Sequence, residues 1–197
     1  MKVLIYGINF KPEQVGIGKY SGELAEWLSE KGHEVRVITA PPYFPAWRIK
    51  PRYKNRYTVV KNEKITVQRC PIWVPNKPNG IKRLFHLGSF AITSIICLIG
   101  QYKWKPNIII TVSPTIFCAP GALILGRICG KRTLNCLHIQ DFELDAAFEL
   151  GILKGKMVRK IAEKLERKVM QSFDCVSTIS KAMMQRLEYK GVDKSRI

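Results

Sequence analysis

Acidic residues are scarce in this sequence. Of 197 residues, 33 are Lys or Arg and only 15 are Asp or Glu, a formal net charge of +18. The shortage is local: residues 35–140 hold 17 Lys or Arg and a single acid, Glu63. A surface of this kind seeks phosphorylated substrates, acidic lipid head groups or nucleic acid, and it also fits a soluble protein of high isoelectric point with no polyanionic partner. The six cysteines (70, 97, 118, 129, 136 and 175) contain no C-x-x-C pair, which excludes the local zinc and dithiol signatures. Most lie in apolar runs, where a free thiol acts as a small hydrophobe, so a reduced, cytoplasmic protein without disulfides is expected. Neither a metal site nor a cofactor is expected. Low-complexity stretches are absent and aromatics make up 10%, which excludes a disordered chain. The opening Met1-Lys2-Val3-Leu4-Ile5 is too short an apolar run for a signal peptide.

What is present alternates between strand and helix. Residues 2–8 read as a buried strand. A glycine-bearing loop leads to a helix from about Gly18 to Lys31, with Tyr20, Leu24, Trp27 and Leu28 on one face. Residues 34–39 form a second strand. A Pro- and aromatic-rich loop covers 41–57, and a hairpin surrounds Lys61-Asn62-Glu63-Lys64. Further strands are expected at 107–113, 132–139 and 174–179, and helices at 82–100, 116–129 and 156–170, with Ser180 capping a last helix. This order predicts one domain of α/β class, a doubly wound, mostly parallel Rossmann-like sheet. Ligands of such sheets bind beyond the C-terminal strand ends, so the loops after residues 8, 40, 113 and 139 carry the candidates.

Two of those loops contain suitable chemistry. The first, Lys11-Pro12-Glu13-Gln14-Val15-Gly16-Ile17-Gly18-Lys19-Tyr20, brings glycines to a helix N-terminus, a place that suits phosphate and equally suits a plain turn. It is not a Walker loop, because no G-K-[ST] follows, and its spacing fits a dinucleotide fingerprint poorly. The second, Leu137-His138-Ile139-Gln140-Asp141, places a histidine and a carboxylate at a strand end. Histidine can donate to a sugar hydroxyl and aspartate can accept a proton from one. A histidine among apolar neighbours also fits a satisfied core residue. His33 reads as structural and His86 as packing or interfacial. Residues 87–100 hold no charge yet fall short of the roughly 20 residues of a membrane span, so most of that helix is expected to be buried against the sheet. Its start, with Lys82, Arg83 and Phe85, suits contact with an anionic membrane or an acceptor.

The segment Pro12-Glu13-x-x-Gly16-Ile17-Gly18-Lys19-Tyr20, with Gly32-His33-Glu34-Val35 and Thr39-Ala40-Pro41-Pro42-Tyr43-x-Pro45-x-Trp47, resembles the start of glycosyltransferase family 4 enzymes of GT-B fold. It is most similar to the branch that builds colanic acid and related exopolysaccharides. His138-x-Gln140-Asp141 with Asp145-Ala146-Ala147 resembles the active-site strand end of that family, although Phe142-Glu143-Leu144 replaces the branch's aromatic segment. The resemblance implies that 1–197 is the acceptor-side N-terminal half and that the C-terminal donor domain is absent, as in a truncated frame, a fragment, or one half of a split enzyme whose donor domain is a separate chain. It implies retaining transfer of a hexose from a nucleotide sugar to a polyprenyl-diphosphate-linked glycan, on the inner face of the plasma membrane. Gly16 and Gly18 would then contact the donor diphosphate, His138 the donor hexose, and Asp141 the acceptor side, with no turnover by this half alone. Two other readings compete: a non-catalytic module binding acceptor glycan or anionic membrane, and a basic nucleic-acid-binding protein. The latter lacks a helix-turn-helix, RRM or zinc-finger pattern, so no nucleic-acid partner is expected.

Overall fold

The computed structural model describes residues 1–197 apart from 63, 114–115, 131–132, 150 and 152–153. Short β-branched runs form a sheet of seven strands: β1 (Lys2–Tyr6), β2 (Glu34–Thr39), β3 (Thr58–Asn62), β4 (Ile65–Arg69), β5 (Ile108–Ser113), β6 (Leu134–Ile139) and β7 (Cys175–Thr178). Their order is β3-β4-β2-β1-β5-β6-β7. All neighbours are parallel except the β3–β4 hairpin, whose expected turn residue Glu63 lies outside the described residues. The doubly wound α/β expectation holds. The helices are α1 (Gly16–Glu30), α2 (Gly80–Gly100), α3 (Ala119–Cys129), α4 (Glu143–Glu149), α5 (Lys156–Met170) and α6 (Lys181–Tyr189).

Side chains alternate across a strand, so each strand feeds both faces of the sheet. On one face Val3, Ile5, Val35, Val37 and Val112 pack with Ala25 of α1. On the other, Leu4, Tyr6, Ile38 and Ile109 meet Phe90 and Leu98 of α2 and Leu125 of α3. Leu137, Ile139 and Val176 extend this second face toward Met170, Phe173 and Leu187. Helix α4 was not expected. It is pinned by Asp145, which pairs with Lys190 Nζ at 3.0 Å, while the same ammonium reaches Glu166 at 2.6 Å.

Two expectations are corrected. Cys136 and Cys175 form a disulfide with Cα atoms 4.8 Å apart. They lie 39 residues apart in sequence but opposite each other in the β6–β7 register, so a search for closely spaced cysteines could not find them. The other correction concerns α2. Only one stripe of it, His86, Leu87, Phe90, Ser94 and Leu98, is buried. Ile81, Phe85, Ile92, Ile96 and Ile99 form an opposite stripe that is exposed along the whole helix. Apolar residues surround this helix, so composition alone could not divide the covered side from the bare one.

Candidate functional site

His138 sits at the C-terminal end of β6. Parallel register sets it beside Val112 of β5 on one side and Ser177 of β7 on the other. Val112 belongs to the core under α1, so His138 faces the α1 side of the sheet. Its Nδ1 lies 2.9 Å from the Ser177 hydroxyl. Burial holds its pKa below the usual 6.5, favouring the neutral ring. In the tautomer in which Ser177 donates to Nδ1, Nε2 carries the proton and is a donor without a partner among the described residues. Asp141 lies just past the strand and is exposed, with no hydrogen bond to His138.

The glycine loop reaches the same edge of the sheet on the same face, because it opens α1. Gly16 has φ +58, a conformation that favours glycine, and an added Cβ there would meet nothing within 4 Å. Val15 at the N-cap makes no side-chain cap hydrogen bond and the first turn holds no acid. The N–H groups of that turn therefore remain available to an anion. Gly18 is needed for a different reason. A Cβ there would stand 2.6 Å from Glu13 Oε2 and 2.7 Å from Glu13 Cβ, so Gly18 permits close packing.

Glu13 itself was overlooked by sequence reasoning. It is 2% exposed and accepts hydrogen bonds from the Tyr43 and Phe44 N–H groups at 3.0 and 2.9 Å and from Asn9 Nδ2 at 2.9 Å. Burial pushes its pKa above the usual 4.5, and these hydrogen bonds and Arg69 oppose that rise. Arg69, also buried, donates to Ala40 O at 2.8 Å and Lys11 O at 2.6 Å. The carboxylate and guanidinium together tie the β1 loop to the β2 loop. The available signal was an acid placed between proline and glycine in a loop at a strand end.

The sequence profile of the Glycosyl transferase 4-like domain family matches residues 15–197. This chain belongs to that family. The glycosyltransferase domain is 50% identical over 195 residues to a protein of Escherichia coli (strain K12) named "Putative colanic acid biosynthesis glycosyl transferase WcaI". The match covers 98% of this chain and 47% of the relative, so the chain spans about half the length of the curated relative it matches. Its fold is that of the GT-B glycosyltransferases. The catalytic domain of starch synthase IV from Arabidopsis thaliana superposes with a TM-score of 0.61, 18% identity, and coverage of 93% of this chain and 45% of that one.

The glycosyltransferase domain has a concavity on the same strand-end edge. A cleft of about 580 Å³ lies between the β2 loop, the β4 loop and α2, lined among others by Trp47, Arg48, Asn55, Trp73, Asn76 and Ser89. Trp47 has φ 49°, an unfavourable backbone conformation for a bulky residue. Its ring packs 5.2 Å from His86 and 5.7 Å from Tyr43. His86 is 1% exposed, with Nδ1 2.6 Å from Trp73 O, so it is a packing residue that joins the two loops. The expected contact residues Lys82, Arg83 and Phe85 are all exposed in the first turns of α2, away from His138 and Gly16. Phe85 begins the bare stripe already described. Among the described residues no cluster of three or more metal-ligating side chains occurs.

Proposed function

We propose that this domain is the acceptor side of a retaining glycosyltransferase that acts in exopolysaccharide assembly. It moves a hexose from a nucleotide sugar to a polyprenyl-diphosphate-linked glycan. The observation that carries the reading is that the bare α1 N-terminus at Gly16 and the donor nitrogen of His138 share one face and one edge of the sheet. In this reading the phosphates are assigned to the α1 amides and the sugar to the neutral imidazole, as transfer from a sugar diphosphate requires. The name of the Escherichia coli relative supports the same process. Asp141, exposed at the same strand end, is assigned to the acceptor hydroxyl. Joined to a donor-binding half, the domain transfers hexose with retention at the anomeric carbon; alone it turns nothing over. NMR of the product showing inversion would remove the chain's proposed chemistry.

The same reading places α2 in the plane of the membrane surface. The helix is long and apolar enough to cross a bilayer. Its buried stripe packs on the sheet and Ser94 Oγ is hydrogen-bonded to Tyr6 OH at 2.6 Å, which fixes it to the domain instead. The bare stripe spans the helix, and Ile124 and Ile128 of α3 add exposed apolar surface. Lys82 and Arg83 flank its start, in the part of the chain nearly free of acids. An apolar stripe bordered by cations suits an anionic interface, and suits duplex nucleic acid poorly. Each basic residue near such a surface contributes roughly 1 kcal/mol. Replacing Lys82 and Arg83 together by Glu is expected to weaken binding to anionic vesicles by more than tenfold at low salt. Ile92→Asp with Ile96→Asp is expected to remove the part of binding that survives 1 M salt. Co-sedimentation that is equal for neutral and anionic vesicles, or strong binding to duplex DNA without vesicle binding, would overturn this assignment.

A further inference from the structure

We propose that the cleft between the β2 loop, the β4 loop and α2 is a saccharide subsite that takes one pyranose unit of an oligosaccharide acceptor, several units away from the reacting hydroxyl. It rests on the acceptor-side reading above. Two indoles supply the apolar surface: Trp47, half-buried, and Trp73, 46% exposed. Flat aromatic faces with a polar edge suit the C–H face of a sugar ring. The wall beneath them is held from behind. Asn55 Nδ2 donates to Ile72 O and Asn55 Oδ1 accepts from Ile72 N, both at 2.8 Å. Ser89 Oγ accepts from Trp73 N at 3.0 Å, and Thr93 Oγ1 donates to Pro71 O at 2.6 Å.

Other polar groups at the cleft are left over. The Arg48 guanidinium, the Asn76 amide and both indole N–H groups have no hydrogen-bond partner among the described residues. An apolar floor with a few unspent donors and acceptors is the construction of a small-molecule site, and the volume leaves ample room for a sugar unit of a longer chain. Among the described residues no carboxylate lines the cleft, which disfavours a cation as its ligand. The left-handed backbone of Trp47 is a second sign. Such conformations persist where surrounding structure enforces them and cluster at ligand sites. Tyr43, His86 and Arg83, whose guanidinium lies 5.8 Å from the ring, surround that indole. A nucleotide could also stack on tryptophan. It is disfavoured because the nearest helix start, at Gly80, is already capped by the Asn79 side chain, which accepts from the Lys82 amide.

Position gives the subsite its meaning. Between β6, which carries His138, and β2 lie β5 and β1, and β4 lies one strand further. At about 4.8 Å per strand, the strands that carry the cleft lie roughly 14–19 Å from β6 along the sheet edge, and α2 sets the cleft toward the opposite face from His138. A sugar there belongs to the body of a glycan chain.

The test uses the full chain on a printed array of bacterial glycan fragments, followed by tryptophan-fluorescence titration of the retained glycans. Oligosaccharides are expected to be retained better than their monosaccharides. Trp73→Ala should lose at least tenfold in affinity and Asn76→Ala several-fold, both with unchanged thermal melts. Tyr189→Ala, on the exposed tip of α6, should bind as the wild type does. Retention of no glycan, equal affinity of Trp73→Ala and Asn76→Ala to wild type, or capture of free ADP or UDP in preference to every glycan overturns the proposal. In the transferase joined to its donor half, Trp73→Ala should raise KM for an oligosaccharide acceptor at constant kcat. Transfer with unchanged acceptor KM sinks the subsite and leaves the transfer reading standing. Glycan binding lost in Trp73→Ala, without nucleotide-sugar-dependent transfer, does the reverse.

Discussion

In the joined transferase, His138→Ala is expected to lower kcat by about 100-fold or more, the cost of removing one preorganised donor from a reaction centre. The fold should barely notice. His138 is partly exposed and its one side-chain hydrogen bond is to Ser177, which is worth about 1 kcal/mol. For a domain of this size that corresponds to a Tm loss of roughly 2–4 °C. Ser177→Ala should reduce kcat only several-fold, since it frees the ring without removing it. The pH profile gives an independent signature. Burial lowers the His138 pKa, so the neutral donor form persists at pH 7 and is lost on acidification below the usual 6.5. Activity should fall on that acid side in the wild type, and His138→Ala should lack that limb. A large drop in Tm with kcat intact would show His138 to be a core residue only.

Glu13→Ala should be the most destabilising single change near the site. It strands the Tyr43 and Phe44 N–H groups and leaves Arg69 buried without its nearby carboxylate. Breaking a buried, hydrogen-bonded charge arrangement costs about 3 kcal/mol or more, a Tm loss of roughly 6–12 °C at this size. Gly18→Ala should act through the same spot by pressing a methyl group into Glu13. Glu13→Gln can keep Oε1 as the acceptor for both amides and should be far milder. Linkage separates the carboxyl from the amide. A folded-state pKa above 4.5 means that the folded protein holds the proton more tightly than the unfolded chain. The stability from this proton is full below pH 4.5 and is lost as pH rises through the folded value. Glu13→Gln should flatten that slope in denaturant titrations across pH. Equal slopes in the two proteins would show that Glu13 does not titrate in the fold.

Much of the sheet was legible because its strands are short, β-branched and bounded by glycine, proline or charge; residues 34–39 and the helix at 156–170 coincide with β2 and α5. The placement of Gly16 and His138 on one edge followed from alternation plus the strand-end rule. Side-chain partnerships over long separations were not legible. Glu13 meets residues 30 positions away, and Cys136 meets Cys175 across a register that no local pattern announces. Gly18 was assigned with Gly16 to a phosphate, although its geometry shows a packing requirement against Glu13. Helix α2 was expected to be buried for most of its length because an apolar run looks the same whether its second face meets protein or a lipid surface. The 41–57 loop was recognised as aromatic-rich, but nothing in its spacing said that Trp47 and Trp73 would line one cleft.

Of these seven strands β1 is the earliest to leave the ribosome, and it ends in the middle of the sheet. It can pair with β2 once residue 39 has emerged, but its other neighbour, β5, begins only at residue 108. Until then Leu4 and Tyr6 have a free backbone edge and lack most of the core that buries them, including Phe90 and Ile109. Pairings between distant parts of a chain close slowly, because loop entropy is lost before the contacts form. The nascent chain should therefore pass through a long interval as a β1–α1–β2 unit with an open, apolar side. During synthesis this side stays uncovered apolar surface, and it is covered when β5 docks.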